Sequence, residues 1–140
     1  LEVQLALAAD DAGTAARAAA ALAAALAAVD AGVLPPAARD AWQPDRARLE
    51  AAARDLAAAA DIDGRRRAFE PVSHALWRVL ATYGTSRAVP VRLFHCPMAH
   101  DDTGADWLQL EPTAANPYFG ASMLRCGSQT DSLAADAKER

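Results

Sequence analysis

The residues best suited to chemistry lie in one C-terminal stretch, Leu93 to Gly127. This stretch contains every cysteine and methionine of the chain and two of its three histidines. The sulfur-bearing side chains are Cys96, Met98, Met123 and Cys126. Residues 1–92 are mostly Ala, Leu, Arg and Asp, a composition that forms helices but supplies few reactive groups. We therefore expect a helical platform that carries one reactive loop.

The spacing of the four sulfurs suits a soft metal ion. Thiolate and thioether sulfurs are soft ligands and select Cu(I) or related ions such as Ag(I) over hard cations. In an extended C-x-M segment, Cys96 and Met98 point the same way, and one helical turn does the same for the M-x-x-C pair. If the two pairs close on each other, they form a four-sulfur or mixed sulfur and nitrogen site, with His95 and His100 as further candidate ligands.

The same residues have structural interpretations. A disulfide between Cys96 and Cys126 would close a loop of about 30 residues and contribute roughly 3 to 4 kcal/mol on the chain-entropy model. Met98 and Met123 would then fill gaps in the core, which is the commoner role of methionine. An exchangeable redox pair is the least favoured interpretation, because the chain has no C-x-x-C motif.

The elements that must position this loop are helices. An apolar rhythm at helical spacing is clearest in Phe69, Val72, Leu76, Val79 and Tyr83. Together with turn residues, hydrophobic periodicity predicts helices in residues 11–30, 36–60 and 65–83, after a shorter helix in residues 1–9. Because the connections are short, we expect an all-α fold: a small antiparallel up-and-down bundle of three to four helices with an irregular Cys/Met loop.

The chain changes character after Gly84, which is a plausible helix C-cap. Alternating residues in Ala88 to Phe94 predict an extended segment, so one short strand is expected before the loop. One domain accounts for the 140 residues. Its expected parts are a helical bundle in 1–84, a Cys/Met-containing cap in 85–127 and a flexible polar tail in 128–140.

Charge and hydropathy exclude some partners. The net charge of -4 offers no footprint for nucleic acid. The basic run at residues 65–67 is interpreted as a solvated helix face. The most apolar window, Ala15 to Val29, is expected to be too short and too weakly apolar to span a membrane. Since the chain begins at Leu1, we expect a processed or trimmed sequence, whose lack of a leader says nothing about secretion.

No catalytic motif is recognised, so the sequence predicts a protein that is not an enzyme. His74 is interpreted as a histidine at the solvated edge of the bundle. Aromatic residues in the loop are expected to anchor it to the bundle through their large buried area. The anchors are Trp107, Tyr118 and Phe119.

Three segments of the loop resemble a known family. They are CPMA at Cys96 to Ala99, GADWL at Gly104 to Leu108, and NPYFGASMLRCG at Asn116 to Gly127. The order and sequence of these segments resemble a domain of unknown function found C-terminal to, or encoded beside, CusB-like periplasmic adaptor subunits of copper and silver efflux systems. Residues Leu7 to Asp11 and Phe69 to Ser73 resemble that domain more loosely.

The resemblance implies a bacterial periplasmic domain that handles heavy metals with an efflux adaptor or transporter subunit as its partner. It favours Cu(I) or Ag(I) bound by the four sulfurs, whereas His95 and His100 are not part of the resembling motif. The alternative function is an interaction domain whose loop is locked by a Cys96–Cys126 disulfide and which docks an envelope partner without metal.

Overall fold

The computed structural model describes residues 1–134 of the chain. Five α-helices and three strands follow one another in these residues. The helices are α1 (Glu2–Ala8), α2 (Ala12–Ala27), α3 (Pro36–Ala58), α4 (Ile62–Tyr83) and the single turn α5 (Ala99–Asp102). The strands are β1 (Val91–Cys96), β2 (Ala105–Gln109) and β3 (Ser128–Leu133).

Local capping explains where α2 and α4 begin and where α4 ends. Asp11 accepts a hydrogen bond from the Thr14 amide at 2.9 Å, and this satisfies one free donor at the start of α2. Asp61 does the same for the Gly64 amide at the start of α4, at 2.7 Å. Gly84 ends α4 with a φ of 84°, as the C-cap prediction required.

The helices form the expected bundle. Helix α3 packs against both α2 and α4, and α1 packs against α2. On α3, Leu49 and Leu56 are buried on the core side. Pro44 lies within α3, which runs on without a break. Helices account for 59% of the structure, so the prediction of a mostly helical fold is confirmed in its coarse form.

The sheet is larger than predicted. It has three antiparallel strands in the order β2-β1-β3, where a single short strand was expected. Residues 128–133 form β3 and pair with β1, so this part of the expected flexible tail is ordered structure. Residues 135–140 of that tail lie outside the described residues. All but one residue of β3 are exposed, and such a polar edge strand gives little hydrophobic signal in the sequence.

An aromatic layer joins the sheet to α4. Phe94 on β1 stacks on Trp107 of β2, with ring centroids 5.3 Å apart. Trp107 and Phe69 of α4 each lie 6.2 Å from the Tyr118 ring. Trp107 is fully buried. The prediction that Trp107 and Tyr118 anchor the loop is therefore confirmed.

The basic run at residues 65–67 does not form a solvated face. Arg65 is only 9% exposed, and the side chain of Arg66 is 14% exposed. Only Arg67 is on the surface. Arg66 is covered because its guanidinium donates to the carbonyl oxygens of Leu7 and Pro117.

The most apolar segment is centred on α2. Ala12–Val33 spans 22 residues with a mean hydropathy of 1.5, and only 17% of its most apolar part is buried. By length and composition alone this segment could cross a membrane, contrary to the sequence-based expectation. Core helices of soluble proteins and signal sequences share this length and composition.

Candidate functional site

The two cysteines meet at the base of the loop. Their Sγ atoms lie 3.2 Å apart although 30 residues separate them along the chain. Both are thiols in this structure. Cys96 is the last residue of β1 and is fully buried, whereas Cys126 is partly exposed. The pair therefore has one buried sulfur and one that solvent reaches.

The thiol of Cys126 is a weak acid here. Its pKa is raised above the ordinary 9.0, first by its hydrogen bond with Cys96 and then by burial. A raised pKa lowers the fraction of thiolate at neutral pH. A metal ion that binds the pair must therefore displace protons, and its affinity will rise with pH.

The methionines are placed differently from each other. The expected extended C-x-M arrangement is wrong, because β1 ends at Cys96 and Met98 adopts helical φ and ψ angles in the following turn. Met98 is 45% exposed. Met123 ends a 3₁₀ turn, Gly120–Met123, and its carbonyl oxygen accepts a hydrogen bond from the Cys126 amide at 3.0 Å. The single turn predicted for the M-x-x-C pair is thus present.

Both candidate histidine ligands have other neighbours. Because side chains alternate along β1, His95 points away from the face that carries Cys96. His95 Nδ1 lies 2.7 Å from the Asp106 carboxylate. His100 is in α5, where its ring meets Tyr118 edge-on at 5.0 Å and its buried Nε2 has no hydrogen-bond partner. His74 is exposed at the bundle edge as predicted, 3.7 Å from Asp106.

Asn116 closes the loop that ends at Cys126. Its side chain is fully buried. The amide nitrogen donates to the Cys126 carbonyl at 2.8 Å, and Oδ1 accepts from the backbone of Tyr118 at 2.8 Å and of Phe119 at 3.2 Å. The Asn116 backbone amide also donates to the Leu124 carbonyl at 2.8 Å. One side chain thereby fixes both ends of the segment that positions the second thiol.

Arg66 ties the loop to the bundle. Its guanidinium donates to the carbonyl oxygens of Leu7 and Pro117, each at 3.0 Å, and to the Asp10 carboxylate at 2.5 Å. The other Asp10 oxygen accepts from the Ala121 amide at 2.9 Å. The amide of Ala121, followed by the Arg66 guanidinium, lowers the pKa of Asp10 below its ordinary 3.8. These contacts hold the loop against helices α1 and α4.

Two glycines allow the loop backbone to lie close to Asp10 and to the Trp107 ring. Gly120 has a φ of +58°, and a Cβ there would lie 2.1 Å from Asp10 Oδ1. Gly127 has a φ of +120°, and a Cβ there would lie 2.5 Å from the Trp107 ring. Both positions need the backbone freedom and the missing side chain of glycine. These residues of the NPYFGASMLRCG run therefore have a structural explanation.

Tyr118 is buried behind the thiols. Its hydroxyl donates to the Asp106 carbonyl oxygen. Burial raises the pKa of Tyr118 far above its ordinary value and the Glu70 carboxylate adds to this, while the neighbouring Ser73 hydroxyl acts in the opposite direction. The ring is thus a neutral wall of the site at every physiological pH.

No preformed metal cluster of harder ligands is present in residues 1–134. Within that range, no group of three or more His, Cys, Asp or Glu side chains is arranged to hold an ion. Of the sequence-predicted ligands, the two thiols are in direct contact. Metal binding by Cys96, Met98, Met123 and Cys126 stays a prediction.

Sequence reasoning missed the residues that build the site without taking part in chemistry. Asn116 was noted only as the first residue of the NPYFGASMLRCG segment, with no sign that its side chain bridges to Cys126. The pairing of Arg66 with Asp10 joins residues 56 positions apart. Such a pair leaves no local pattern to recognise.

The chain belongs to a family described as protein of unknown function, DUF3347, whose model matches residues 1–88. The match covers the helical part and stops before the thiol-bearing loop. Nothing in it links the family to CusB-like adaptors. No significant match exists among curated proteins or solved structures.

Proposed function

We propose that this protein is a periplasmic module that binds Cu(I) or Ag(I) and transfers it to a heavy-metal efflux system. Its partner is an efflux adaptor or transporter subunit, and it is not an enzyme. The observation that carries the proposal is the approach of Cys96 and Cys126 to 3.2 Å. The efflux context rests on the resemblance of the Cys96 to Gly127 motifs, which lie outside the family match.

The donor set fits a soft ion. Two thiolates form the centre of the site, and soft thiolate and thioether ligands select Cu(I) over hard cations. The two sulfurs must move apart to bind an ion. A metal–thiolate bond is about 2.3 Å long in zinc sites, so two sulfurs bound to one ion lie further apart than the present 3.2 Å. Cys126 can move outwards, since it is partly exposed and follows a short 3₁₀ turn.

The methionines supply ligands that capture or release the ion. Each lies within three residues of a thiol in sequence, and methionine is a flexible side chain with three rotatable bonds. Met98 is the more exposed of the two and is suited to the first contact with an incoming ion. A site with one buried thiol, one movable thiol and two adjustable thioethers suits transfer better than permanent storage.

A competition titration tests the proposal. Reduced protein is titrated with Cu(I) against a chromophoric chelator, and we expect a one-to-one complex. Cys96→Ser and Cys126→Ser should abolish binding, and Met98→Leu and Met123→Leu should weaken it. His74→Gln is the matched control, because His74 is an exposed potential ligand away from the thiols. Binding that survives either cysteine substitution would contradict the proposal.

A second function is favoured by the same short distance. Two sulfurs at 3.2 Å need only a small movement to form a disulfide, whose bond length is about 2.05 Å. The loop would then be a stapled surface that docks an efflux adaptor or another envelope partner without metal. In an oxidising periplasm such a bond would persist. A free-thiol count on protein purified without reductant separates the two: two thiols favour metal, and none favours docking.

A further inference from the structure

The connection between β1 and β2, which contains α5, has a strained backbone. Its ends are held together because Cys96 pairs with Ala105 across the sheet. Three consecutive residues of the connection have positive φ angles although none of them is glycine. They are His100 (53°), Asp101 (57°) and Asp102 (62°). A side chain makes this left-handed conformation unfavourable at each residue, so the connection stores conformational strain directly after the first thiol.

Burial at one end keeps the turn in this conformation. Ala99, the first residue of α5, is fully buried. Its carbonyl oxygen accepts a hydrogen bond from the Gly104 amide at 2.9 Å, whereas the Asp102 amide reaches the Met98 carbonyl oxygen only at 3.4 Å. Strained residues persist only where their surroundings impose the conformation. A change at the buried end, next to the thiols, would therefore allow the turn to relax.

His100 is the side chain that this conformation directs inwards. Its ring meets the Tyr118 ring edge-on, with centroids 5.0 Å apart. Its Nε2 atom is buried and makes no hydrogen bond within residues 1–134. Burial is the main reason why the pKa of Tyr118 is raised, and the nearness of Cys96 contributes to it. The Tyr118 side chain therefore neighbours both the imidazole and the first thiol.

A buried imidazole nitrogen without a partner is costly to the protein, and imidazole nitrogen is a common ligand of copper. We propose that His100 becomes a third ligand of the soft ion when the turn relaxes. This inference rests on the metal-binding function proposed above. The sulfurs move apart as the ion enters, and Cys96 lies directly before the strained connection. Relief of the strain then offsets the cost of moving the imidazole from Tyr118 to the ion.

Cu(I) titration of reduced His100→Gln tests the ligand. We expect at least about tenfold weaker binding than in the wild type, since losing a ligand costs no less than losing a group that only orients one. His74→Gln is the control and should bind like the wild type. In ¹⁵N spectra of the wild type, Cu(I) should shift the Nε2 resonance of His100 and leave that of His74 in place. Wild-type affinity in His100→Gln, or an unshifted His100 resonance, would overturn the inference.

Paired substitutions at Asp101 test the relaxation of the backbone. Glycine tolerates the left-handed conformation and alanine does not, so the ion-free Asp101→Gly should unfold at higher urea concentration than Asp101→Ala. If the turn leaves this conformation on binding, Asp101→Gly should bind Cu(I) about tenfold more weakly than Asp101→Ala. The same pair at Thr103, whose backbone is right-handed, should not show this order. Equal Cu(I) affinities of the two Asp101 variants would overturn the inference.

The outcomes separate this inference from the function on which it rests. If Cys126→Ser abolishes Cu(I) binding while His100→Gln and the Asp101 pair leave it unchanged, the thiol site stands and the role of His100 is overturned. If the reduced wild type binds no Cu(I), the proposed function fails and the inference fails with it.

Discussion

At the scale of the residue, Cys126 is the group whose chemistry the fold alters most directly. Its neighbour Cys96 is fully buried and fixed at the end of a strand, so the hydrogen bond between them is geometrically imposed. That bond raises the pKa of Cys126. The accessible thiol is therefore protected from reaction until something displaces its proton or its partner.

Alkylation kinetics test this protection. In reduced protein at about pH 8, Cys126 should react slowly with iodoacetamide, because few molecules carry its thiolate. Cys96→Ala should speed the reaction, since it removes the main cause of the raised pKa. The unfolded protein in denaturant provides the reference rate. A Cys126 that reacts as fast in the wild type as in Cys96→Ala would contradict the explanation.

Gly120 should be intolerant of a side chain. Gly120→Ala combines an unfavourable φ with a Cβ only 2.1 Å from Asp10 Oδ1, so the loop or the Arg66 ion pair must shift. Gly84→Ala is the matched control: its φ is also positive, but no atom lies within 4 Å of its Cβ. We expect roughly 1 to 3 kcal/mol of destabilisation for Gly84→Ala, because its φ of 84° and ψ of −176° fall in a region confined almost entirely to glycine, and more for Gly120→Ala in urea unfolding. Equal losses would show that the contact is not tight.

Asp10 should make stability depend on pH in the acid range. Its pKa is lowered from 3.8 in the folded protein, so its stabilising contribution is complete above that value and is lost as the pH falls through the lowered pKa. The melting temperature of Asp10→Asn should therefore lie below that of the wild type near neutral pH and converge with it in strong acid. Asp40→Asn, at an exposed position on α3, is the control. A difference that persists unchanged to about pH 2 would contradict this account.

At the scale of the element, the position of strand β3, which follows Cys126, depends on Cys96 at the end of β1. Strand β3 is an exposed edge strand that contributes little to the core. Its pairing with β1 begins at His95 and Ser128, next to the two cysteines. A covalent bond at this point would hold β3 against β1, and reduction would leave only its ladder hydrogen bonds.

Hydrogen exchange measures that dependence. If the disulfide forms, amides in residues 128–133 should exchange more slowly in oxidised than in reduced protein, while β2 amides change little. Cys126→Ser should behave like reduced protein under all conditions and should lose about 3 to 4 kcal/mol relative to the oxidised form. Identical β3 exchange in both redox states would mean that the thiols do not staple the strand.

The elements differ in how well the sequence predicts them. Helices α2 to α4 carry apolar periodicity, α2 and α4 have Asp N-caps, and α3 begins at Pro36, so their positions follow from local patterns. Strand β3 is polar and exposed, and its pairing is a long-range contact with no local signature. For the site, the pairing of Cys96 with Cys126 was among the stated possibilities. The backbone turn after Cys96, which leaves Met98 exposed, was not predicted. The extended segment was expected to continue past Cys96.

At the scale of the whole molecule, the helical bundle and the thiol-bearing loop are two parts of one structure that Arg66 joins. The helical part carries the family match. The loop beyond it brings two thiols together and is fixed by Asn116 and Arg66.

X-ray absorption at the copper edge of Cu(I)-loaded, reduced protein tests the proposed function most directly. The account predicts a first shell of at least two sulfur atoms, which Cys96→Ser and Cys126→Ser lose and which Met98→Leu or Met123→Leu reduces in number or lengthens. A shell of nitrogen and oxygen alone, or protein with two free thiols that retains no copper, would contradict it.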